Sequence, residues 1–199
     1  MNIKRDLEFL YELGCFRFIN RVWVQLGNPN FQNNAEHTFR VIWLALILAK
    51  YEKSNDVNKI IKMALVHDLP ESRTGDVHYI SRLYTSRDEE SAIKDIFNNT
   101  SVKEFIALWQ EYEKRKSLEA KIVKDADSLD VDLELQEQAN KGIQLQSVFA
   151  ELRAAVAAHY YTKSARKLWK EIQKSNPHDW HLHARNRYTA GDWSKFKKK

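Results

Sequence analysis

A histidine followed at once by an aspartate, with two further acids close behind, stands in KMALVHDLPESRTGD, Lys62 to Asp76. The run before it reads as the buried face of a helix, so His67, Asp68, Glu71 and Asp76 arrive where a core is expected. Burying charge without a partner is costly, and something at this point must accept these groups. A neutral imidazole nitrogen and a carboxylate oxygen are both ligands for a divalent first-row metal. Pro70 supplies the geometry. It has no N–H to give Val66 and disfavours helical backbone at Leu69, so the helix should end or kink just past Asp68. Neighbours on a regular helix diverge by about 100° in azimuth. At a disrupted end, His67 and Asp68 can turn toward one point.

Two side chains do not make a site. His37 falls in the first turn of a predicted helix, in Asn33-Asn-Ala-Glu-His-Thr38, ahead of a strongly apolar segment. Asp127 lies in Lys121-Ile-Val-Lys-Asp-Ala-Asp-Ser-Leu129, where acids interrupt an apolar helical period. Asp125 and Asp127 point to different sides, so one can face inward while the other is solvated. Taken singly, His37 reads first as a satisfied helix-start histidine and Asp127 as a surface carboxylate.

The elements that must carry these residues are helical. Five Gly and three Pro among 199 residues, set against abundant Leu, Ala, Glu, Lys and Arg, favour an all-α chain. Apolar residues recur at helical intervals over 5–20, and Leu26 to Asn34 is a turn-rich connector. Asn34 is the expected cap of a helix over 35–51, with Glu36 in its first turn. Asn55 or Asp56 opens the next, which runs to His67. Ser86-x-x-Glu89 and Ser101-x-x-Glu104 are capping-box patterns before two more. A long helix spans 117–141 with Gly142 as its stop, and others cover 144–159 and 164–174. Residues 1–175 then form one helical core, and 176–199 an irregular extension with a basic tail. Trp43, Trp109 and Trp169 fall among apolar helical positions and read as core; His159 reads as core or helix end.

The bulk numbers restrict function. One cysteine, Cys15, excludes an internal disulfide and a Cys-based zinc site, and fits a reducing cytoplasm. The longest apolar run, Val41 to Ala49, is far below the roughly 20 residues that span a bilayer, and the N-terminus has no signal-peptide core. The net charge is +5, but Arg185, Arg187, Lys195, Lys197, Lys198 and Lys199 against Asp192 alone hold all of it. The preceding residues are balanced, which argues against nucleic acid as a partner. No Ser lies in a Gly-rich elbow and no Gly-rich phosphate loop is present, so serine-hydrolase and ATP-driven chemistry are unsupported.

The ordered set His37, His67-Asp68 and Asp127 resembles the H…HD…D signature of HD-domain metal-dependent phosphohydrolases. The match is nearest the branch of bacterial 5′-deoxynucleotidases. It is carried by Ile19-Asn-Arg21, Ala35-Glu-His-Thr38, His67 to Asp76 and Lys124-Asp-Ala-Asp-Ser-Leu129, across roughly residues 5–160. The resemblance implies a single helical bundle of the HD type, with His37, His67, Asp68 and Asp127 around one divalent ion (Mn, Co, Fe, Ni, Zn or Mg). It implies Arg21 at the substrate phosphate, Glu71 as a proton shuttle beside Asp68, and Asp76 on the nucleoside side. It also implies a phosphorylated small-molecule substrate, a nucleoside 5′-monophosphate, and homodimers, which this branch often forms. The chemistry is consistent with such a site. Two nitrogens and two oxygens leave positions for water and a phosphate oxygen, and arginine recognises phosphate in a bidentate way.

The branch pattern has a Trp directly after the arginine, implicated in sensing the missing 2′-hydroxyl. Here Val22 follows Arg21 and the indole is Trp23, so a preference for deoxyribose does not carry over. Two other readings compete. One is hydrolysis of a nucleoside triphosphate or signalling nucleotide, against which Glu71-Ser72 lacks the Glu-Asp step of guanosine-tetraphosphate hydrolases. The other is a non-catalytic helical module. His78 could join a second metal site, but no ordered set of extra ligands follows it.

Overall fold

Caps and breakers written in the sequence decide where each helix begins and stops. In a computed structural model, residues 2–26 and 29–184 are described, and among them the chain is helical with no strand. The helices are α1 (Ile3–Cys15), α2 (Asn34–Glu52), α3 (Val57–Val66), α4 (Glu71–Thr74) and α5 (Glu89–Phe97). They continue as α6 (Phe105–Lys114), α7 (Leu118–Asn140), α8 (Leu145–Val148), α9 (Ala150–Ala158), α10 (Lys163–Ile172) and α11 (Asp179–Leu182). Short 3₁₀ turns at Phe16–Phe18, Val22–Leu26 and Ser81–Leu83 complete the described set.

The core is a layer of α2, α3, α6 and α10 packed around α7. Leu44, Leu48, Ile60, Met63, Ile122, Val123 and Leu129 meet there almost fully buried. Each such side chain removed from water contributes about 1.5–3 kcal/mol. A second cluster under α5 and α6, with Ile93, Ile96, Phe97 and Trp109, packs against Val66 and Leu69. The turn carrying His67 and Asp68 is therefore held between two apolar masses.

Several boundaries differ from expectation for local reasons. The cap of α2 is Asn33, whose side chain takes the Ala35 and Glu36 N–H groups while Glu36 returns a bond to Asn33 N. Asn34 is instead the first helical residue and is fully buried. Asp88, two residues after Ser86, caps α5 by accepting from Ser91 N. Ser101 caps nothing; its N–H and hydroxyl both bond Asp6 of α1. The predicted 144–159 helix breaks at Phe149 into α8 and α9, whereas Gly142, at φ 87°, terminates α7 as anticipated. Trp109 is core, but Trp43 is 56% exposed, and His159 is an exposed helix end. The basic tail from Arg185 lies outside the described residues.

α7 carries an unusual number of buried acids, each matched to a partner from a distant segment. Asp125 accepts from Tyr161 N, Thr162 N and the Thr162 hydroxyl. Asp132 pairs with Arg153 at 2.7 Å and takes the Tyr160 hydroxyl. Asp130 and Glu134 both meet Arg40 at 2.8 Å. Asp125 and Asp127 are thus both buried, contrary to the expectation that one faces solvent.

Candidate metal centre

Pro70 acts as its chemistry requires. Without an N–H at Pro70, the Val66 carbonyl accepts from Leu69 N instead, and α3 stops at Val66. The chain tightens through 67–70 and re-enters a helix at Glu71. This turn brings Asp68 Oδ2 to 3.4 Å from His67 Nε2, although the two residues are adjacent. The capping box at Asn33 seats His37 in the first turns of α2 with its ring wholly buried. Asp127 comes from the middle of α7.

The four side chains converge. His37 Nε2 lies 3.4 Å from His67 Nε2, 3.4 Å from Asp68 Oδ2 and 3.2 Å from Asp127 Oδ1. One ligand-type atom from each residue falls within 4.8 Å of the others, the one such group among the described residues. Bonds of about 2.1 Å to a shared ion place neighbouring donors about 3.0–3.4 Å apart, so the spacing fits a first-row cation. Both rings are turned for it. His67 Nδ1 donates to the Ala64 carbonyl at 2.8 Å, which places the proton there and leaves Nε2 a lone pair facing the cluster. His37 Nδ1 meets Asp130 Oδ2 at 2.5 Å, an orienting carboxylate of the kind that backs metal-ligating histidines. Arg40 in turn braces Asp130.

The charge balance tells the same story. Burial and Arg21 oppose protonation of His37, yet Asp127, Asp130 and Asp68 outweigh them and lift it to about 10. Against the penalty of burial, His67, His37 and Arg21 hold Asp68 well below the carboxylate range, while Lys124 and His37 do so for Asp127. The carboxylates that keep a proton on His37 are those that would draw a cation in its place.

A cavity of about 590 Å³ opens over the cluster, lined by Arg21, Asp68, Glu71, Asp76, Lys124 and Asp127 among others. Arg21, nearly buried, reaches Asp68 at 2.8 Å and lies 3.5 Å from Asp76 through Nε. Asp76 also accepts Val22 N at 3.0 Å, so its carboxylate is turned onto the Arg21–Val22 turn as well as lining the cavity. Glu71 is fixed by Asn34 Nδ2 at 2.6 Å and Arg87 at 3.3 Å. Burial first, then the charges of Asp68 and Asp76, pushes it up to about 9. Val22 and Trp23 both line the cavity, the indole stacked on Phe31 and edge-on to Phe149.

Several contributors were not anticipated. Lys124 pairs with Asp127 at 2.8 Å, one turn away on the same helix. Asp130 sits three residues beyond Asp127, a spacing that puts both on one face and could have been read. Arg40, Arg87 and Asn34 carried no local signal, because their partners are distant in sequence.

Helices of this order around a His-His-Asp-Asp cluster define a recognisable class. Residues 13–173 match the HD domain model, and the chain belongs to the HD-domain family. It is 37% identical over 166 residues to the 5′-deoxynucleotidase HDDC2 of Dictyostelium discoideum, covering 74% of this chain and 87% of that protein. A conserved hypothetical protein from Pyrococcus furiosus superposes with a TM-score of 0.74 at 28% identity, over 85% of this chain and 99% of the other. The cyanophage S-2L HD phosphohydrolase DatZ, solved with dA and one catalytic Zn²⁺, shares the fold. Its TM-score is 0.54 at 23% identity, over 83% and 96% of the two chains.

Proposed function

We propose that this chain is a phosphohydrolase that releases phosphate from nucleoside 5′-monophosphates, using one divalent ion held by His37, His67, Asp68 and Asp127. The observation that carries this reading is the convergence of two correctly presented Nε2 atoms and two carboxylates beneath a cavity rich in cationic side chains. The 5′-deoxynucleotidase relatives support the substrate class.

The bound ion would polarise the phosphoryl group and acidify a water. The remaining work falls to the protein. Arg21, anchored through Nη1 on Asp68 and Nε near Asp76, offers Nη2 to the phosphate oxygens. Glu71, protonated near neutral pH, delivers a proton to the departing 5′ oxygen. Asp76 positions Arg21 and borders the nucleoside end of the cavity. Trp23 and Val22 wall that end, so a paired ribo- and deoxyribonucleotide panel reads the sugar preference directly.

The test is phosphate release from 5′-monophosphates by metal-loaded protein, with Asp68→Asn as blank. Turnover that depends on added metal and vanishes in the variant supports the proposal. Release from triphosphates but not monophosphates, or none from any phosphate ester, overturns it.

We further propose that residues 1–175 are the working unit and 176–199 an appendage; deleting 185–199 should leave turnover within about twofold, and its loss would reject that division. The exposed stripe Phe39, Trp43 and Ile47 on α2 supports a homodimer. No described helix is long and apolar enough to cross a membrane. Cys15 is a free, exposed thiol, which favours the reducing cytoplasm as the site of action.

A further inference from the structure

Arg115 is a cation of the cavity whose donors are largely unclaimed. It follows α6 in the left-handed conformation, φ 51° and ψ 28°, which turns the side chain back over the last helical turn. There its guanidinium carbon lies 3.3 Å from the centre of the Tyr112 ring. Tyr112 is buried, and its hydroxyl approaches Asp127 Oδ2 at 3.4 Å. The stack accounts for the face of the guanidinium but not for its edge. Nη2 bonds Glu113 at 3.2 Å, a side chain 41% exposed, and Nη1 is buried with no hydrogen-bond partner among the described residues. Arg21, Arg87 and Arg153 each meet a carboxylate that is at least nine-tenths buried, although Arg21 Nε, like Arg115 Nη1, makes no hydrogen bond among the described residues. A buried guanidinium nitrogen without an acceptor is costly and rare. Lys124 lines the same cavity and donates to the same Asp127 Oδ2 at 2.8 Å.

Resting on the phosphohydrolase reading above, we infer that Arg115 is a substrate-binding residue whose guanidinium edge takes a non-bridging phosphate oxygen on the Asp127 side of the centre, while Arg21 serves the Asp68 side. Tyr112 acts as the platform that sets the plane of the guanidinium, and Lys124 adds a second positive charge beside the same oxygen. The pair would hold the phosphate in the substrate and inorganic phosphate in the product.

The test uses the full chain loaded with metal and inorganic phosphate as the probe, in wild type, Arg115→Gln and Arg115→Asn. Asn tolerates the left-handed conformation, so the second variant keeps the helix end intact. Loss of a charge-assisted bond predicts a phosphate Kd raised roughly ten- to hundredfold and a matching rise in KM. Little change in kcat is expected, because ground and transition states lose the same contact. Metal content and melting temperature of the Asn variant should stay at wild-type values. A Kd and KM within twofold of wild type in either folded variant overturns the inference, as does a lower melting temperature with unchanged phosphate affinity. Wild-type protein that turns over monophosphates while the variants match it sinks this inference alone. Wild-type protein that neither binds phosphate nor turns over any phosphate ester sinks the proposed function as well.

Discussion

Two imidazole Nε2 atoms 3.4 Å apart, each with its other ring nitrogen occupied, have the spacing of neighbouring donors on one ion. The group that aims His37 is Asp130, and Asp130→Asn should weaken metal affinity by about 10–100-fold while the fold survives. Titration of metal-stripped protein checks this, and equal affinity would remove Asp130 from the centre. Glu71 predicts a pH dependence. In the proposed mechanism its protonated form is the donor, so turnover should fall as pH rises through its pKa. That limb should lie at or below 9, since a cation beside Asp68 cancels part of the repulsion that raises it. In Glu71→Gln the alkaline limb should disappear and kcat drop by about 10²–10⁴. The four proposed ligands were legible as an ordered set, through the resemblance of His37, His67-Asp68 and Asp127 to the H…HD…D signature, and not singly. Lys124 was not legible, since a lysine on a helix ordinarily faces water; Asp130 shares a face with Asp127 by spacing, but its partner His37 is 93 positions away.

The end of α3 shows how a single ring closure sets a site. Pro70→Ala restores the N–H that Val66 lacks and lets the helix run on through Asp68. His67 and Asp68 would then diverge. Metal content of the purified variant should fall well below one ion per chain, with circular dichroism unchanged or slightly more helical; retained metal would show that the turn persists without proline. The helices themselves were largely visible in apolar spacing and in Gly142, Asp56 and Ser117. The misplacements share one cause. Ser86, Ser101 and Asn34 have the chemistry of caps, but so do Asp88 and Asn33 nearby, and tertiary contacts choose between them. Trp43 reads as core by periodicity because a helix face that a second chain could cover looks the same in sequence as one covered by its own.

The proposed ligands come from α2, α7 and the turn after α3, so a bound ion would tie together most of the central layer. Metal at about a thousandfold above its Kd should stabilise the fold by about 4 kcal/mol, which for a chain of this size corresponds to roughly 10 °C in Tm. A scan with and without chelator measures it, and coincident transitions would contradict a site linked to folding. Trp43→Glu should convert a dimer into a monomer in light scattering without altering metal content, if α2 forms the contact. One arrangement on α7 has a mechanical corollary. Asp125 and Asp127 stand about 200° apart around the axis, and both are gripped, one by the start of α10 and the other by the cation cluster. A rod clasped on opposite flanks cannot roll. Inserting one residue between them would swing either grip by about 100°, so this stretch of α7 should refuse any change of length that a surface loop would absorb.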